Sequence, residues 1–258
     1  MPAEPTRAAH TRSEVRGRAR VVRAERGALA FTVDGWPPHT PGQFVMISLD
    51  PSGVTLDPLL PRPMAIFRRD GDVVEVRYRV VGRGTALLAA MQPGDELGVL
   101  GPLGRGFAVA TGPATLVGGG TGIASLYELA AASPGASVVL GGRTRADVMA
   151  IDAFRALPVD LRVTTEDGSE GHPGRVTDVL ELRRGETVYA CGPHGMLRAV
   201  HERAEKVGAR CFVSLESPMA CAIGICLGCA VATHDGFRYV CTHGPVFDAA
   251  LLRWELLR

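Results

Sequence analysis

Four cysteines close to the C-terminus share a spacing that suits metal chemistry: Cys221, Cys226, Cys229 and Cys241. The first three form a C-x4-C-x2-C pattern, and the fourth follows after eleven residues. This is the spacing of plant-type [2Fe–2S] sites. Gly224 and Gly228 would let the backbone turn its N–H groups toward the sulfides. The pattern predicts a [2Fe–2S] cluster bound by these four thiolates.

Two other interpretations of the cysteines remain open. A structural zinc ion can also take four cysteines, although zinc sites favour paired C-x2-C spacings. Inert core thiols are the other alternative, and Cys211, which lies in a predicted strand, is expected to be one. The segment between Cys221 and Val231 has no carboxylate and no lysine. An apolar surrounding of this kind keeps water away from an anionic cluster and leaves amide hydrogen bonds to tune it.

Two glycine-rich segments follow predicted strands and could bind a nucleotide. The first comprises Gly118, Gly119, Gly120, Thr121 and Gly122. Such a turn lets a pyrophosphate approach the backbone and a helix N-terminus, but Ile123 breaks the strict G-x-G-x-x-G pattern. The second is Cys191-Gly192-Pro193. Because the carboxyl ends of parallel strands share one edge, the two segments support each other. Taken alone, the first is equally a packing turn, and Cys191 is more simply a small core residue at a strand end.

Two segments in the first third of the chain could contact a flavin. Residues 60–65 contain Arg62, whose guanidinium could pair with a pyrophosphate. Residues 81–85 end in Gly84 and Thr85 at the start of a helix predicted over 85–91, where N–H groups could donate to the same anion. Without their context, both segments are turns with an exposed arginine.

The predicted elements divide the chain into three parts. Residues 14–110 alternate short β-rich stretches with Gly/Pro turns, which predicts an antiparallel β-barrel. Residues 111–213 alternate strands with helices, which predicts a parallel α/β sheet. The helices of this second part are predicted over residues 121–133, 145–157, 176–184 and 195–209. Residues 214–258 form a small module that is too short and loop-rich to be stable without a metal. The fold class is therefore α+β multidomain.

The composition excludes several other classes. The 258 residues are 46% hydrophobic and 21% charged, with a formal net charge of +1, so no strong field favours nucleic acid or an anionic membrane. No apolar run approaches the about 20 residues that span a bilayer. Residues 1–13 are expected to be a weakly ordered tail and not a secretory signal, which gives a cytoplasmic location. Six cysteines in a cytosolic chain do not indicate a disulfide framework.

Together these motifs resemble the ferredoxin–NADP reductase superfamily and, within it, the electron transfer subunits of dihydroorotate dehydrogenase B. The resemblance extends from residues 41–45 almost to the C-terminus. It is most specific at residues 214–216 and 244–247, which bracket the cysteine segment. It implies that the barrel binds FAD and that the α/β part binds NAD.

The resemblance also assigns residues to each cofactor. The FAD site would comprise Arg62, Pro63, Met64, Ala65, Arg77, Tyr78, Arg79, Gly84 and Thr85. The NAD site would fall on the 118–122 turn and on Cys191, Gly192 and Pro193. Ala65 stands where the family usually has a hydroxyl residue near the flavin N5, so the effect on the flavin potential is open.

The resemblance implies an electron-transfer subunit of pyrimidine biosynthesis. An FMN-containing dihydroorotate dehydrogenase catalytic subunit would supply electrons, which pass through the cluster and FAD to NAD+ in a heterotetramer with two copies of each chain. No catalytic side chain is expected, and His194 and His234 are expected to be solvent-facing loop residues. Subunits of a sulfhydrogenase or of an NADH-dependent ferredoxin oxidoreductase are alternatives. A zinc-stapled binding module without enzymatic activity is another. The choice between NAD and NADP and the direction of electron flow stay open.

Overall fold

The computed structural model describes residues 14–50 and 57–257; the tail predicted for residues 1–13 lies outside them. Six antiparallel strands close into a barrel in the order β1-β2-β5-β4-β3-β6. Their bounds are β1 Val15–Glu25, β2 Ala28–Thr32, β3 Phe44–Ser48, β4 Arg62–Asp70, β5 Val73–Arg77 and β6 Glu96–Leu103. The predicted antiparallel barrel is confirmed.

A buried carboxylate on β5 ties three barrel strands together. The Glu75 side chain is only 2% exposed and forms ion pairs with Arg23 at 2.5 Å, Arg68 at 2.9 Å and Arg77 at 2.6 Å. A buried charge is tolerated when such partners surround it. The Arg77 guanidinium also lies 5.1 Å from the centroid of the Phe67 ring. These contacts hold Arg77 in a fixed position at the end of β5.

One helix, α1 (Arg83–Ala90), follows β5 and confirms the helix predicted over 85–91. Its N-terminus is capped by Thr85, whose Oγ1 accepts from the backbone N–H groups of Val81 at 2.9 Å and Gly82 at 3.1 Å. Leu88 anchors the helix in the barrel core. The cap fixes residues 81–85 beside β4.

The second part of the chain forms a parallel sheet. Its strands are β7 Ala114–Gly119, β8 Ser137–Gly142, β9 Asp160–Thr165, β10 His172–Pro173, β11 Thr187–Cys191 and β12 Arg210–Ser214. Their spatial order is β10-β9-β8-β7-β11-β12, and each neighbouring pair is parallel. The predicted parallel α/β sheet is confirmed.

The helices of this sheet differ from the prediction in three of four places. The segment 121–133 is a 3-10 helix, Gly120–Leu126, followed by a short α2, Tyr127–Ala131. The backbone packs closely at this point, since a Cβ at Gly122 would lie 2.5 Å from the Cys191 carbonyl. In the segment 145–157, α3 covers only Ile151–Arg155, because Ala150 adopts a left-handed conformation with φ of 55°.

The prediction of a helix over residues 176–184 is also wrong. Only a 3-10 turn, Val176–Val179, forms there, and its start is held by the Asp178 carboxylate, which accepts from the Arg175 N–H at 2.7 Å. Val176 and Leu180 are both buried, so their helical spacing arises in a turn followed by extended chain. The fourth prediction, over 195–209, is confirmed by α4, His194–Val207.

The C-terminal part is joined to the sheet. It contains the hairpin β13 Ala230–Thr233 and β14 Gly236–Tyr239, the short helix α5 Val240–His243 and the strand β15 Val246–Asp248. The last strand, β15, pairs antiparallel with β12 and forms an edge strand of the sheet. The sequence analysis did not predict this strand. Cys229 and Cys241 belong to the same hydrophobic core as Val213 and Leu215. The domain bounds at 110, 213 and 258 stay predictions.

Within residues 14–50 and 57–257, no helix is both long and apolar enough to cross a membrane.

Candidate functional site

A cavity of about 420 Å³ lies between the barrel and the sheet; we call it the barrel-side cavity. Seven of the residues predicted to bind FAD line it: Pro63, Met64, Ala65, Arg77, Tyr78, Arg79 and Thr85. The opposite wall comes from the sheet and includes Thr121, Ser125, Ser214 and Glu216. The structure therefore brings most of the predicted flavin residues to one place.

Unsatisfied polar atoms show that this cavity suits a polar ligand. Among the described residues, the Tyr78 hydroxyl and the Arg77 Nε are buried and have no hydrogen-bond partner. Burial raises the pKa of Tyr78, so its hydroxyl remains a donor at neutral pH. Buried donors are rarely left unpaired in proteins. Both atoms fit a ligand with acceptor groups, such as a flavin.

Arg62 and the N-terminus of α1 together form a candidate anion-binding site beside this cavity. The Arg62 guanidinium lies against Gly84, where a Cβ would overlap it in its present position. Its Nη1 donates to the Leu60 carbonyl oxygen. A guanidinium next to the N-terminus of an eight-residue helix suits a pyrophosphate.

A second cavity of about 560 Å³, the sheet-edge cavity, lies at the carboxyl ends of the parallel strands. Gly119, Gly120 and Pro193 from the two predicted nucleotide segments line it, together with residues that the sequence analysis did not single out, including Arg143, Glu166 and Thr177. The register pairs Cys191 with Gly118, which explains why the two segments meet.

Other members of the predicted NAD set lie behind this cavity. A Cβ at Gly118 would contact the Leu140, Ile123 and Leu126 side chains at 3.0 to 3.2 Å, which is a packing role. Cys191 is 1% exposed, and burial raises the pKa of its thiol to about 12. That thiol hydrogen-bonds Ser125 and Ser214. Direct nucleotide contacts by these residues stay a prediction.

A third, smaller space, the connecting cavity, lies between the other two. It is lined by Arg79, Gly119, Gly120, Thr121, Gly192, Pro193, His194 and Glu216. Arg79 lines all three cavities, and its guanidinium forms an ion pair with Asp147 at 2.9 Å. Because Asp147 follows β8 and Arg79 follows β5, this pair joins the barrel to the sheet.

Two residues of the connecting cavity were missed or misplaced by the sequence analysis. His194 is not a solvent-facing loop residue: it begins α4 and lines this cavity. Glu216 was quoted only as part of a resemblance, yet it lines both the barrel-side and the connecting cavities. Its place just after β12, at the carboxyl edge of a parallel sheet, was the signal available in the sequence.

The four cysteines of the C-terminal segment lie as two pairs. The Cys229 and Cys241 sulfurs are 3.2 Å apart. The Cys226 N–H donates to the Cys221 sulfur at 3.3 Å, and the two thiols of this pair also hydrogen-bond each other. In the described part of the chain, no three His, Cys, Asp or Glu side chains are close enough to hold one ion. The pairing of the thiols two by two agrees with the binuclear cluster that their spacing predicts.

The backbone around Cys221 suits bound anionic sulfur. Burial alone would raise the pKa of this thiol, but hydrogen bonds from the N–H groups of Cys226, Ile223 and Ile225 lower it to about 6. Amides can turn inward because Ala222, Gly224 and Leu227 have positive φ of 56°, 82° and 60°. Gly224 plays its predicted part.

Gly228 does not play the part predicted for it. Its φ lies outside the left-handed region, and the residue before it, Leu227, adopts that conformation instead. A Cβ at Gly228 would meet the Cys226 sulfur at an ordinary 3.7 Å. The strain of the segment therefore falls on Ala222 and Leu227, as is common where a functional site fixes the backbone.

Comparisons with known proteins agree with this geometry. Residues 216–253 match the family model described as the iron–sulfur cluster binding domain of dihydroorotate dehydrogenase B. The dihydroorotate dehydrogenase B (NAD(+)) electron transfer subunit of Bacillus caldolyticus is 44% identical over 224 residues, covering 81% of this chain and 85% of that protein. The same subunit of Caldanaerobacter subterraneus subsp. tengcongensis is 40% identical and covers 89% and 93%.

This chain belongs to the family of dihydroorotate dehydrogenase B electron transfer subunits. A solved structure of NADH-dependent reduced ferredoxin-NADP oxidoreductase is also similar, with a TM-score of 0.77 and 27% identity over 99% of this chain and 93% of that one. The predicted family, fold class and oxidoreductase character are confirmed, as are FAD, an iron–sulfur cluster and NAD as cofactors. The assignment of individual residues to them stays a prediction.

The ligand assignment predicts the effect of replacing Cys226 in the electron transfer subunit. Cys226→Ser should remove the visible absorption of the cluster and the paramagnetic signal of its reduced state, while FAD stays bound, because the barrel-side cavity is unaltered. Cys211→Ser is the control: this buried thiol lies on β12, and both cofactors should remain. A full complement of iron and sulfide in Cys226→Ser would show that the assignment is wrong.

If Arg62 belongs to an anion-binding site beside α1, the Arg62→Ala variant should bind FAD more weakly. A charge-assisted hydrogen bond contributes about 1.5–3 kcal/mol, so the dissociation constant of FAD should rise roughly 10- to 150-fold in a titration of the flavin-free chain. Arg18→Ala is the matched control, since Arg18 is an exposed arginine on β1 that pairs with Glu96. Equal FAD affinity in wild type and Arg62→Ala would contradict the role of Arg62.

Proposed function

We propose that this chain carries electrons from a dihydroorotate-oxidising catalytic subunit to NAD+ in pyrimidine biosynthesis, by way of a [2Fe–2S] cluster and FAD. A bound flavin exchanges single electrons with a cluster and a hydride with a nicotinamide. The protein's own contribution is to hold these groups close together, to keep water from them and to present them to partners.

The proposal rests on the short stretch of chain that joins the barrel-side cavity to the cysteine segment. Residues 214–219 leave the end of β12 and line the barrel-side cavity. Cys221 is only two positions beyond Met219, so the two Cα atoms are at most about 7 Å apart. Met219 itself packs on the core that contains Cys229 and Cys241. A cluster held by these cysteines would therefore lie next to the barrel-side cavity.

The nucleotide reaches the flavin from the other side. The sheet-edge cavity presents the backbone of Gly119 and Gly120, where a pyrophosphate can approach. The connecting cavity then leads past Thr121 to the barrel-side cavity. In this arrangement the sheet orients the nucleotide, and Arg79 is the cation at the junction. The choice of NAD over NADP follows the names of the relatives.

The cluster segment also offers a surface for the electron donor. Cys226 is exposed, and beside it Ile225 is 74% and Leu227 is 52% exposed, whereas Cys229 and Cys241 are buried. Exposed apolar side chains around a redox centre are typical of a docking face. The proposed occupant is the catalytic subunit of dihydroorotate dehydrogenase, carrying FMN, in a cytoplasmic complex with two copies of each chain.

A second candidate has support from one observation. The similar solved structure of NADH-dependent reduced ferredoxin-NADP oxidoreductase spans nearly the whole chain. A subunit of such an enzyme would use the same cavities and cluster but a different partner. Identification of the protein that purifies with the native chain separates the two candidates, and it separates both from a sulfhydrogenase.

The proposal predicts a division of labour between the subunits. The isolated chain, loaded with FAD and cluster, should oxidise NADH with an artificial electron acceptor, because its cavities hold both FAD and the nucleotide. It should not oxidise dihydroorotate until the catalytic subunit is added. Steady-state assays of each subunit and of the mixture measure this. Dihydroorotate oxidation by the isolated, FMN-free chain would overturn the proposal.

The docking face predicts that a charge at Ile225 weakens the complex. Ile225→Asp should raise the dissociation constant for the catalytic subunit at least tenfold, while NADH oxidation with an artificial acceptor continues. Val22→Asp is the matched control, since Val22 is an exposed apolar residue on β1 that is 42% exposed. Binding measured by analytical ultracentrifugation distinguishes them. Equal affinity of both variants would contradict a contact at the cluster segment.

A further inference from the structure

A row of paired residues crosses the outer face of the barrel. The ladder sets Arg23 on β1 opposite Ala30 on β2, and Ala30 opposite Glu75 on β5. On the other side of β5, Glu75 lies opposite Arg68 on β4. Ala30 carries only a methyl group, so the Arg23 side chain can reach across it to Glu75. The neighbours of Glu75 along β5 belong to the barrel core, and the strand alternation therefore turns this carboxylate outward.

The Glu75 carboxylate is shared by three guanidinium groups. Arg23 and Arg68 both pair with its Oε2 atom, and Arg77, two positions farther along β5, pairs with its Oε1 atom. Arg23 has a second, exposed partner in Glu25 at 3.8 Å. Three positive groups around one buried negative group leave a net charge of +2 among these four side chains. Glu75 therefore neutralises Arg77 only in part.

Of these three arginines, Arg77 is the one that lines the barrel-side cavity. Arg23, Arg68 and Glu75 itself line a separate groove of about 900 Å³ between the barrel and α2, which we call the rear groove. Within the described residues, Arg77 Nε has no hydrogen-bond partner, and Glu75 Oε1 has no well-aligned one despite its ion pair with Arg77. The link between the two groups is thus mainly electrostatic, and the positive charge of Arg77 stays available to a ligand.

Flavin reduction is sensitive to charges of this kind. When FAD takes up two electrons and one proton, its ring gains one net negative charge. A positive charge beside the ring stabilises that form more than the oxidised one, and so raises the midpoint potential. The other arginine that lines this cavity, Arg79, has a carboxylate of its own in Asp147. Arg77 is therefore the cation whose effective charge depends on a shared partner.

We propose that Glu75 sets the midpoint potential of the bound FAD by neutralising part of the charge of Arg77. Arg23 and Arg68 compete for the same carboxylate from the rear groove, so they determine how much of it is left for Arg77. The inference rests on the proposed function, and in particular on the position of FAD in the barrel-side cavity. Glu75 lies outside the lining of that cavity and acts through Arg77, which makes it a positioning residue.

Two single substitutions should shift this potential in opposite directions. Glu75→Gln keeps the size of the side chain and removes its charge. The preference of the chain for reduced over oxidised FAD should therefore rise about tenfold, or about 30 mV for a two-electron couple. Arg68→Gln removes a positive charge and leaves more of Glu75 for Arg77, so this preference should fall about threefold, or about 14 mV. Spectroelectrochemical titration of the full chain with FAD and cluster measures both shifts.

Charge and salt controls separate this effect from a structural one. The double variant that combines Glu75→Gln with Arg68→Gln should have a potential between those of the two single variants. Glu96→Gln is the matched control and should keep the wild-type potential, because Glu96 is also shared by two arginines, Arg18 and Arg20, but is exposed. The Glu75→Gln shift should persist at about 1 M salt, since buried charges are screened little. Shifts of one sign in both single variants, or no shift, would overturn the proposal.

The double variant keeps the test valid if Glu75→Gln does not fold, since the loss of one partner can destabilise a buried ion cluster. It differs from Arg68→Gln by the Glu75 charge alone. Its potential should therefore be higher by about 30 mV, a tenfold change in the preference for reduced FAD. Equal potentials in these two variants would overturn the proposal. Failure of the proposed function looks different: the wild-type chain would then bind no FAD, or its FAD would not be reduced by NADH.

Discussion

The parallel pairing of β11 with β7 on one side and β12 on the other decides where the functional groups lie. The register sets Cys191 opposite Gly118 and also opposite Ser214, so three strands end at one level. The nucleotide turn, the Cys191–Pro193 segment and the start of residues 214–219 consequently meet at one edge. From that edge the chain continues directly into the cluster segment.

Contacts between side chains of the barrel and of the sheet hold the barrel against this edge of the sheet. The Arg79–Asp147 ion pair joins β5 to the segment after β8, and on another face His39 of the barrel pairs with Glu128 of α2 at 2.8 Å. Each contact involves a largely buried side chain, Asp147 in the first and His39 in the second, and together they fix the orientation of the barrel against the sheet. Next to this junction, the barrel-side and connecting cavities share the Thr121 and Glu216 side chains. One-electron and two-electron chemistry are thus kept a few side chains apart.

Local patterns predicted the parts of the site that are local in the chain. The cysteine spacing predicted the ligand segment because three thiols must converge within one tight turn. The helix predicted over 85–91 is also local in the chain, whereas its capping by Thr85 was not predicted. The roles of His194 and of the edge strand β15 depend on tertiary contacts that no local pattern marked. Glu216 was marked only by its position after a predicted strand of the parallel sheet. The prediction of a helix over 176–184 was wrong because Val176 and Leu180, although spaced as on one face of a helix, are both buried without a helix between them.

The central claim is that electrons cross the cluster on their way from dihydroorotate to NAD+. The most direct measurement compares wild-type and cluster-free complexes, the latter assembled with the Cys226→Ser chain, in anaerobic rapid-mixing experiments. In the cluster-free complex, dihydroorotate should still reduce the FMN and NADH should still reduce the FAD. Formation of NADH from dihydroorotate should fall to background. NADH formation at the wild-type rate without the cluster would contradict the account.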